Sequence, residues 1–328
     1  MSLENFTEQS LQLFRHQYRH SPVYRRWVDL LGVDPDSVDS LEKIPYLPID
    51  AFRFHEIHTA DKTPELIFSS SGTTGLDTAR HFVSDQRLYL KSLLEGFRQV
   101  YGEPSDWTFL FLLPSYLDRE SGQSSLVWMA RALLDAAGPG PAESRGFYLD
   151  DFKALSEAAR KSIDAGKKTM LLGVSFALLD LAESNLWDNS LSRGELAVVE
   201  TGGMKGRKRE IVREELHERL CAGLGVDSIQ AEYGMTELLS QAWSPGQGRY
   251  RAPAWMKVSL RELQDPLVVA QPGSIGGLNV IDLANANSCA FLATNDLARI
   301  HPDGTFEVLG RFDHAVVRGC SLMLPNHG

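Results

Sequence analysis

The sequence predicts an α/β fold: a mostly parallel sheet layered with helices, passing into a β-rich part from about residue 243. Three observations carry that reading. "DWTFLFLLPS", "KKTMLLGVS" and "GELAVVETGG" are continuous apolar runs of strand length, as expected for strands buried on both faces. Helix-period segments lie between them, which is the alternation that builds a parallel sheet. After Trp243 the chain turns to short segments rich in Gly, Pro and Asn, such as "PLVVAQPGSIGGLNVIDL" and "SCAFLATNDLARIH".

Taken in order, "NFTEQSLQLFRHQYRHS" has helical spacing, with Leu11, Phe14 and Tyr18 on one face. "SPVYRRWVDLLG" restarts a helix behind Ser21, with Pro22 in the first turn and Gly32 as its stop. Leu66, Ile67 and Phe68 read as the end of a buried strand. Helices follow in "SDQRLYLKSLLEGFRQVYG", "QSSLVWMARALLDAAG", "DFKALSEAARKSIDAG" and "KREIVREELHERLCAGLG", interleaved with the three apolar strands. No repeat and no low-complexity linker interrupts the pattern, so one continuous catalytic body with subdomains is expected.

Composition narrows the function classes. The 328 residues carry a net charge of −10, which argues against broad nucleic-acid binding and against a polybasic membrane patch. Cys221, Cys289 and Cys320 are far apart and form no CxxC pair, so a disulfide framework or thiolate zinc site is not expected. "MSLENFTEQS" has neither a basic n-region nor an apolar h-region. The longest apolar stretch, "TMLLGVSFALLDLA", is interrupted by Asp180 and is too short to span a bilayer. These features predict a cytoplasmic protein with no membrane span.

The most suggestive run is "IFSSSGTTGLDTARHF". A Gly/Ser/Thr run leaving a strand can curl its N–H groups around anionic oxygens, with hydroxyls as further donors and glycines supplying unusual dihedrals. It lacks the GxxxxGK[ST] pattern of a Walker loop. Alone it reads equally well as a solvated turn. It is followed, in order, by "AEYGMTELLS", "ATNDLARI" and "LGRFDHAVVRGCSLM".

Together these motifs resemble the signatures of the adenylate-forming superfamily. The resemblance implies that superfamily's large-domain architecture, with ATP and Mg²⁺ bound. It assigns Ser70, Ser71, Gly72, Thr73, Thr74 and Gly75 to the departing phosphates of ATP, and Gly202 and Gly203 to the adenine side. Tyr233 would lie near adenine, Thr236 by the α-phosphate, and Glu237 on Mg²⁺. Asp296 would take the ribose hydroxyls, Arg311 ribose or phosphate, and Asp313 would act as hinge. The chemistry is coherent, because making an acyl-adenylate needs donors on the leaving pyrophosphate, a metal to neutralise charge and anchors for the nucleoside.

Three departures stand out. "GLDTAR" follows the loop where relatives carry Pro-Lys, leaving Arg80 as a candidate substitute. The nucleotide strand reads "TND" rather than "TGD". Fifteen residues follow Asp313, where full-length members carry a further domain with a catalytic lysine, leaving Lys205 and Lys257 as candidates by chemistry alone.

The tail, with "SSSGTTG", "ETGGMKGRK" and "FRHQYRHSPVYRRW…IPYLPIDAFR", is similar to the acyl-protein synthetases, the long-chain-fatty-acid–luciferin-component ligases. That similarity runs along nearly the whole chain. It implies a catalytic domain over 1–312 and a short mobile C-terminal tail over 313–328. It further implies activation of a carboxylic, fatty acid to acyl-AMP, transfer to Cys320, and onward passage to a protein partner such as an acyl reductase. Arg318, Arg311 and His314 lie close in sequence and would favour a thiolate. Two other readings stay open: an acyl- or aryl-CoA ligase or carrier-protein loader with Cys320 incidental, and a catalytically lapsed nucleotide-binding assembly subunit. His55, His58 and His81 show no metal spacing and are expected to be surface or core histidines.

Overall fold

The computed structural model describes residues 3–59, 63–70, 78–113, 123–139, 145–193, 196–202 and 211–311. Along the chain, α1 (Leu3–His20), α2 (Pro22–Leu30), β1 (Leu47–Pro48) and α3 (Ala51–Phe54) come first. The hairpin β2 (Leu66–Ser69) and β3 (Arg80–Val83) follows, then α4 (Gln86–Tyr101), β4 (Trp107–Leu112), α5 (Ser125–Ala136) and β5 (Gly146–Phe147). Next are α6 (Phe152–Asp164), β6 (Lys168–Val174), α7 (Ser175–Glu183), β7 (Leu196–Thr201), α8 (Arg213–Leu224), β8 (Gln230–Tyr233) and β9 (Ala242–Ser244). The last strands are β10 (Met256–Arg261), β11 (Ile275–Asp282), β12 (Phe291–Ile300) and β13 (Phe306–Arg311). Among the described residues no helix is long and apolar enough to cross a membrane.

Residues Pro64–Pro253 form one compact unit. Its main sheet runs β5-β4-β6-β7-β8-β9, with all pairings parallel except β8–β9. The apolar runs named above are these central strands; Phe109, Leu110, Leu171, Leu172 and Val199 have no exposed surface. Three of this unit's helices, α4, α5 and α6, start where a short polar side chain catches free N–H groups. Asp85 accepts from the amides of Arg87 and Leu88, Ser124 from Val127, and Asp151 from Ala154. The long apolar stretch divides at Ser175, with β6 before it and α7 after. Phe176, Leu178, Leu179 and Leu181 of α7 are buried in the core.

The other unit joins Met1–Thr63 to the segment from Ala254 onward. Its sheet is mainly antiparallel, β12-β11-β10 with β13 on β12, and β1 adds in parallel at Leu47 and Pro48. The β-rich texture seen in the sequence is this sheet, and the two N-terminal helices belong with it. Phe14 of α1 and Tyr24 of α2 pack edge-on at 6.1 Å, and both reach Phe291 at 6.3 and 5.8 Å. The buried Gln17 amide completes the join: it donates to the carbonyls of Asn285 and Ala286 and accepts from the Ala290 amide. Hydrogen bonds made by a buried polar side chain offset the cost of taking it out of water, so it is tolerated inside a helix–sheet contact.

Candidate active site

Parallel strands leave their carboxyl ends on one edge of a sheet, where ligands of open α/β folds bind. Gly202 follows the end of β7, and Tyr233 ends β8, so both lie on that edge. "YGMTEL" does not open a helix. The Leu238 amide donates to the Met235 carbonyl at 3.1 Å, which makes Thr236 and Glu237 the central residues of a turn leading back into antiparallel β9. A Cβ at Gly234 would collide with Glu232 Oε1, so any other residue there would have to displace that carboxylate. Tyr233 is largely buried, its ring centroid 5.7 Å from that of Tyr250. Glu237 is also largely buried.

The hydroxyl loop joins two antiparallel strands. Ser70 follows β2, its amide donating to the Ala79 carbonyl at 2.9 Å and its hydroxyl accepting from the Ala79 amide at 3.0 Å. Ser71, Gly72, Thr73, Thr74 and Gly75 lie outside the described residues, as do Gly203, Lys205, Asp313 and Cys320. The hairpin is tied to the turn by a side chain that sequence reasoning left among the ordinary histidines. His81 Nδ1 lies 2.8 Å from the Thr236 carbonyl oxygen. A carbonyl can only accept, so Nδ1 carries the proton. Burial pulls the imidazole down to about 4, against the effect of that hydrogen bond, so His81 is neutral at physiological pH. One neutral side chain thus holds the Thr236–Glu237 turn against the strand that leaves the hydroxyl loop. Arg80, its neighbour, is exposed and lies over the Phe82 ring at 5.4 Å.

Behind the strand ends sits a second group that sequence reasoning missed. Thr201 Oγ1 donates to Glu232 Oε2 at 2.7 Å, bridging the ends of β7 and β8. Glu200, one residue earlier, accepts from the Ser175 hydroxyl at 2.8 Å and faces Arg213 Nε at 3.6 Å and His217 Nε2 at 3.7 Å. Burial pushes the Glu200 carboxyl up, but His217, Arg213 and Ser175 outweigh it and hold the group below the usual range. Among the described residues no cation is paired with Glu232. Burial pushes it up to about 7, opposed by the Thr201 hydroxyl and reinforced by the Glu200 charge.

The consequence is a pH-dependent stability. Below about 4.5 the Glu232 carboxyl is protonated in folded and unfolded chains alike; from there to about 7 only the unfolded chain ionises, so stability falls as pH rises. Glu232→Gln, whose amide oxygen still accepts from Thr201, is therefore expected to be nearly neutral near pH 4.5. It should gain up to about 3 kcal/mol by pH 8. Thermal unfolding of both proteins at the two pH values checks this. An equal difference at both would mean that Glu232 titrates normally.

In the other unit, Asp296 and Arg311 are cross-strand partners of β12 and β13, with Arg311 Nε 3.7 Å from Asp296 Oδ1. The carboxylate is largely buried and the guanidinium exposed, as a surface cation reaching over an anchored anion would be. Asn295 has its own role: its amide donates to Asp50 Oδ2 at 3.0 Å, linking β12 to the start of α3. Lys257 is exposed on β10; Glu42, held below the usual carboxylate range chiefly by its own backbone amide and the Ser40 hydroxyl, gains a smaller lowering from the Lys257 charge.

Known proteins place this architecture. The family model described as "Acyl-protein synthetase, LuxE" matches residues 4–327. No curated protein matches. Among solved structures, a 2-hydroxyisobutyryl-CoA ligase in complex with 2-HIB-AMP and CoA superposes with a TM-score of 0.67 at 14% identity, covering 95% of this chain and 68% of that one. ATP-bound MatB from Rhodopseudomonas palustris superposes with a TM-score of 0.56 at 17% identity, covering 77% of this chain and 50% of that one. At such identities the superpositions speak for the fold, which is that of the adenylate-forming ligases. With the family model matching almost from end to end, the chain belongs to the acyl-protein synthetase family and is an AMP-forming ligase that activates a carboxylic acid as its acyl-adenylate.

Proposed function

We propose that the protein couples ATP to a fatty acid, transfers the acyl group to its own Cys320, and delivers it from there to a protein partner such as an acyl reductase. In the first step a carboxylate oxygen attacks the α-phosphorus of ATP, and the bond from that phosphorus to the bridging oxygen breaks, releasing pyrophosphate. In the second, the Cys320 thiolate attacks the acyl carbonyl carbon. The carbonyl C–O bond to phosphate breaks, and AMP leaves with the electron pair.

The observation that carries the reading is the His81–Thr236 bond, which ties the strand leaving the hydroxyl loop to the turn bearing Thr236 and Glu237. Loop hydroxyls and amides would receive the leaving phosphates, and Thr236 would donate to the α-phosphate. Glu237 fits a hard cation that keeps phosphate oxygens as its other ligands, since among the described residues no three His, Cys, Asp or Glu side chains converge on one point. Bound there, Mg²⁺ would offset the charge that builds on the departing oxygens. Asp296 and Arg311 would hold the ribose.

The two described cysteines are poor rivals for the acceptor role. Cys289 has no exposed surface, its thiol donates to the Phe291 carbonyl at 3.5 Å, and burial pushes it up to about 12. Partial burial, with the nearby Asp227 charge, also raises Cys221. A nucleophile needs the opposite shift. Cys320 lies outside the described residues.

The test is exchange of labelled pyrophosphate into ATP with Mg²⁺ and a panel of fatty and aromatic acids. Acid-dependent exchange is expected, strongest with one class of chain length. No exchange with any acid would overturn the reading in favour of a lapsed nucleotide-binding subunit. Exchange without any acyl-protein, but with thioester formed on added CoA, would leave adenylation standing and remove Cys320 as acceptor.

A further inference from the structure

The pairing of β11 with β12 breaks at one place. Gly277 faces Leu297 and Asn279 faces Ala293, so Leu278 alone lies opposite Thr294, Asn295 and Asp296. The "TND" motif is therefore a bulge. A bulge re-aims a side chain at the expense of ladder hydrogen bonds, and the stranded carbonyls must find other donors.

One residue from a third strand supplies them. Arg261 ends β10 and is buried. Its Nη1 donates to the Leu278 carbonyl at 2.9 Å and to Asn279 Oδ1 at 2.8 Å, and its Nη2 donates to the Thr294 carbonyl. Thr294 completes the arrangement: its hydroxyl donates to the same Leu278 carbonyl at 2.9 Å and accepts from the Asp296 amide at 3.2 Å. The guanidinium reaches these atoms by lying flat across Gly277, where an added Cβ would stand 2.8 Å from Arg261 Cζ. Any side chain at 277 would lift it. A planar fork of donors is what two carbonyls and an amide oxygen on two strands require, and a lysine ammonium cannot reproduce it.

We propose that Arg261 is the positioning residue for Asp296: by filling the bulge in β12 it fixes the direction of the carboxylate that holds the ribose. It acts through backbone carbonyls and has no need to touch the nucleotide. Burial pulls the guanidinium down to about 10, with the Asp296 charge opposing, so it stays cationic at neutral pH and adds a fixed positive charge behind the carboxylate. The inference rests on the reading of Asp296 as the ribose anchor.

Calorimetric titration of the full chain with Mg·ATP and with Mg·2′,3′-dideoxy-ATP tests it, because the ratio of the two dissociation constants reports the ribose contact alone. Wild type is expected to prefer ATP, since a buried carboxylate left without its hydroxyls is penalised. Arg261→Lys should lower the preference about tenfold by weakening ATP and leaving the dideoxy analogue unchanged. Gly277→Ala, which displaces the guanidinium without removing its charge, should act in the same direction and decides the matter if Arg261→Lys fails to fold. Asp296→Asn separates the two levels. If it leaves the preference intact, the ribose reading itself is wrong. If it abolishes the preference while Arg261→Lys and Gly277→Ala keep the wild-type ratio, the positioning role of Arg261 is overturned.

Discussion

Cys320→Ala is expected to abolish the acyl-protein completely while leaving acid-dependent pyrophosphate exchange within about twofold of wild type, because the variant removes the acceptor and none of the groups that act at phosphorus. The reaction splits into two attacks on different atoms, and the thiol enters only the second. Intact mass after incubation with ATP, Mg²⁺ and the acid found by exchange reads the first effect. Hydroxylamine sensitivity of the wild-type adduct, with its peptide mapped, identifies a thioester. An adduct that persists in Cys320→Ala would move the acceptor elsewhere. Cys289 would then be an unexpected site, since its thiol is sealed in the core. A simultaneous loss of exchange would mean that residue 320 supports the adenylation site rather than receiving the acyl group.

Glu237→Gln should act on the other step. It keeps the size and most of the hydrogen bonding of the side chain but removes the charge. The expected result is a fall in the exchange rate of about 10²-fold or more, the size seen when one preorganised electrostatic group is lost. Because Gln matches Glu in size, the melting temperature should change little even though the side chain is largely buried. The Mg²⁺ concentration giving half-maximal exchange should rise, which a simple packing defect would not cause. An unchanged rate with unchanged Mg²⁺ dependence would take Glu237 out of the metal site. The His81 contact gives this prediction its structural basis, since it holds the backbone of the turn from which Glu237 projects.

Much of this protein is readable along the chain, for reasons local to the chain. The parallel sheet announces itself through strands apolar on both faces, and the helices through their period and, for α2, the Ser21–Pro22 start. The motif residues Ser70, Tyr233, Thr236, Glu237, Asp296 and Arg311 are picked out by the resemblance of their runs, in order along the chain, to adenylate-forming signatures. Even the tight approach at Gly234 is local, to the Glu232 carboxylate two residues before it.

What holds those runs in place had no such signature. His81 reaches Thr236 across 155 positions, and Arg261 reaches Thr294 across 33. An isolated histidine or arginine carries no pattern; its meaning comes from which carbonyl the fold leaves without a donor. Glu232 is a surface charge by composition, and only strand pairing puts it in the interior, beside Thr201 and next to the Glu200 charge. The N-terminal helices likewise declare their apolar faces in sequence but not the sheet they cover. Periodicity therefore determined the kind of fold, and the resemblance of the motifs indicated the chemistry to expect. The tertiary structure alone decided which buried polar groups satisfy one another, because a hydrogen bond depends on distance in space and leaves no trace in separation along the chain.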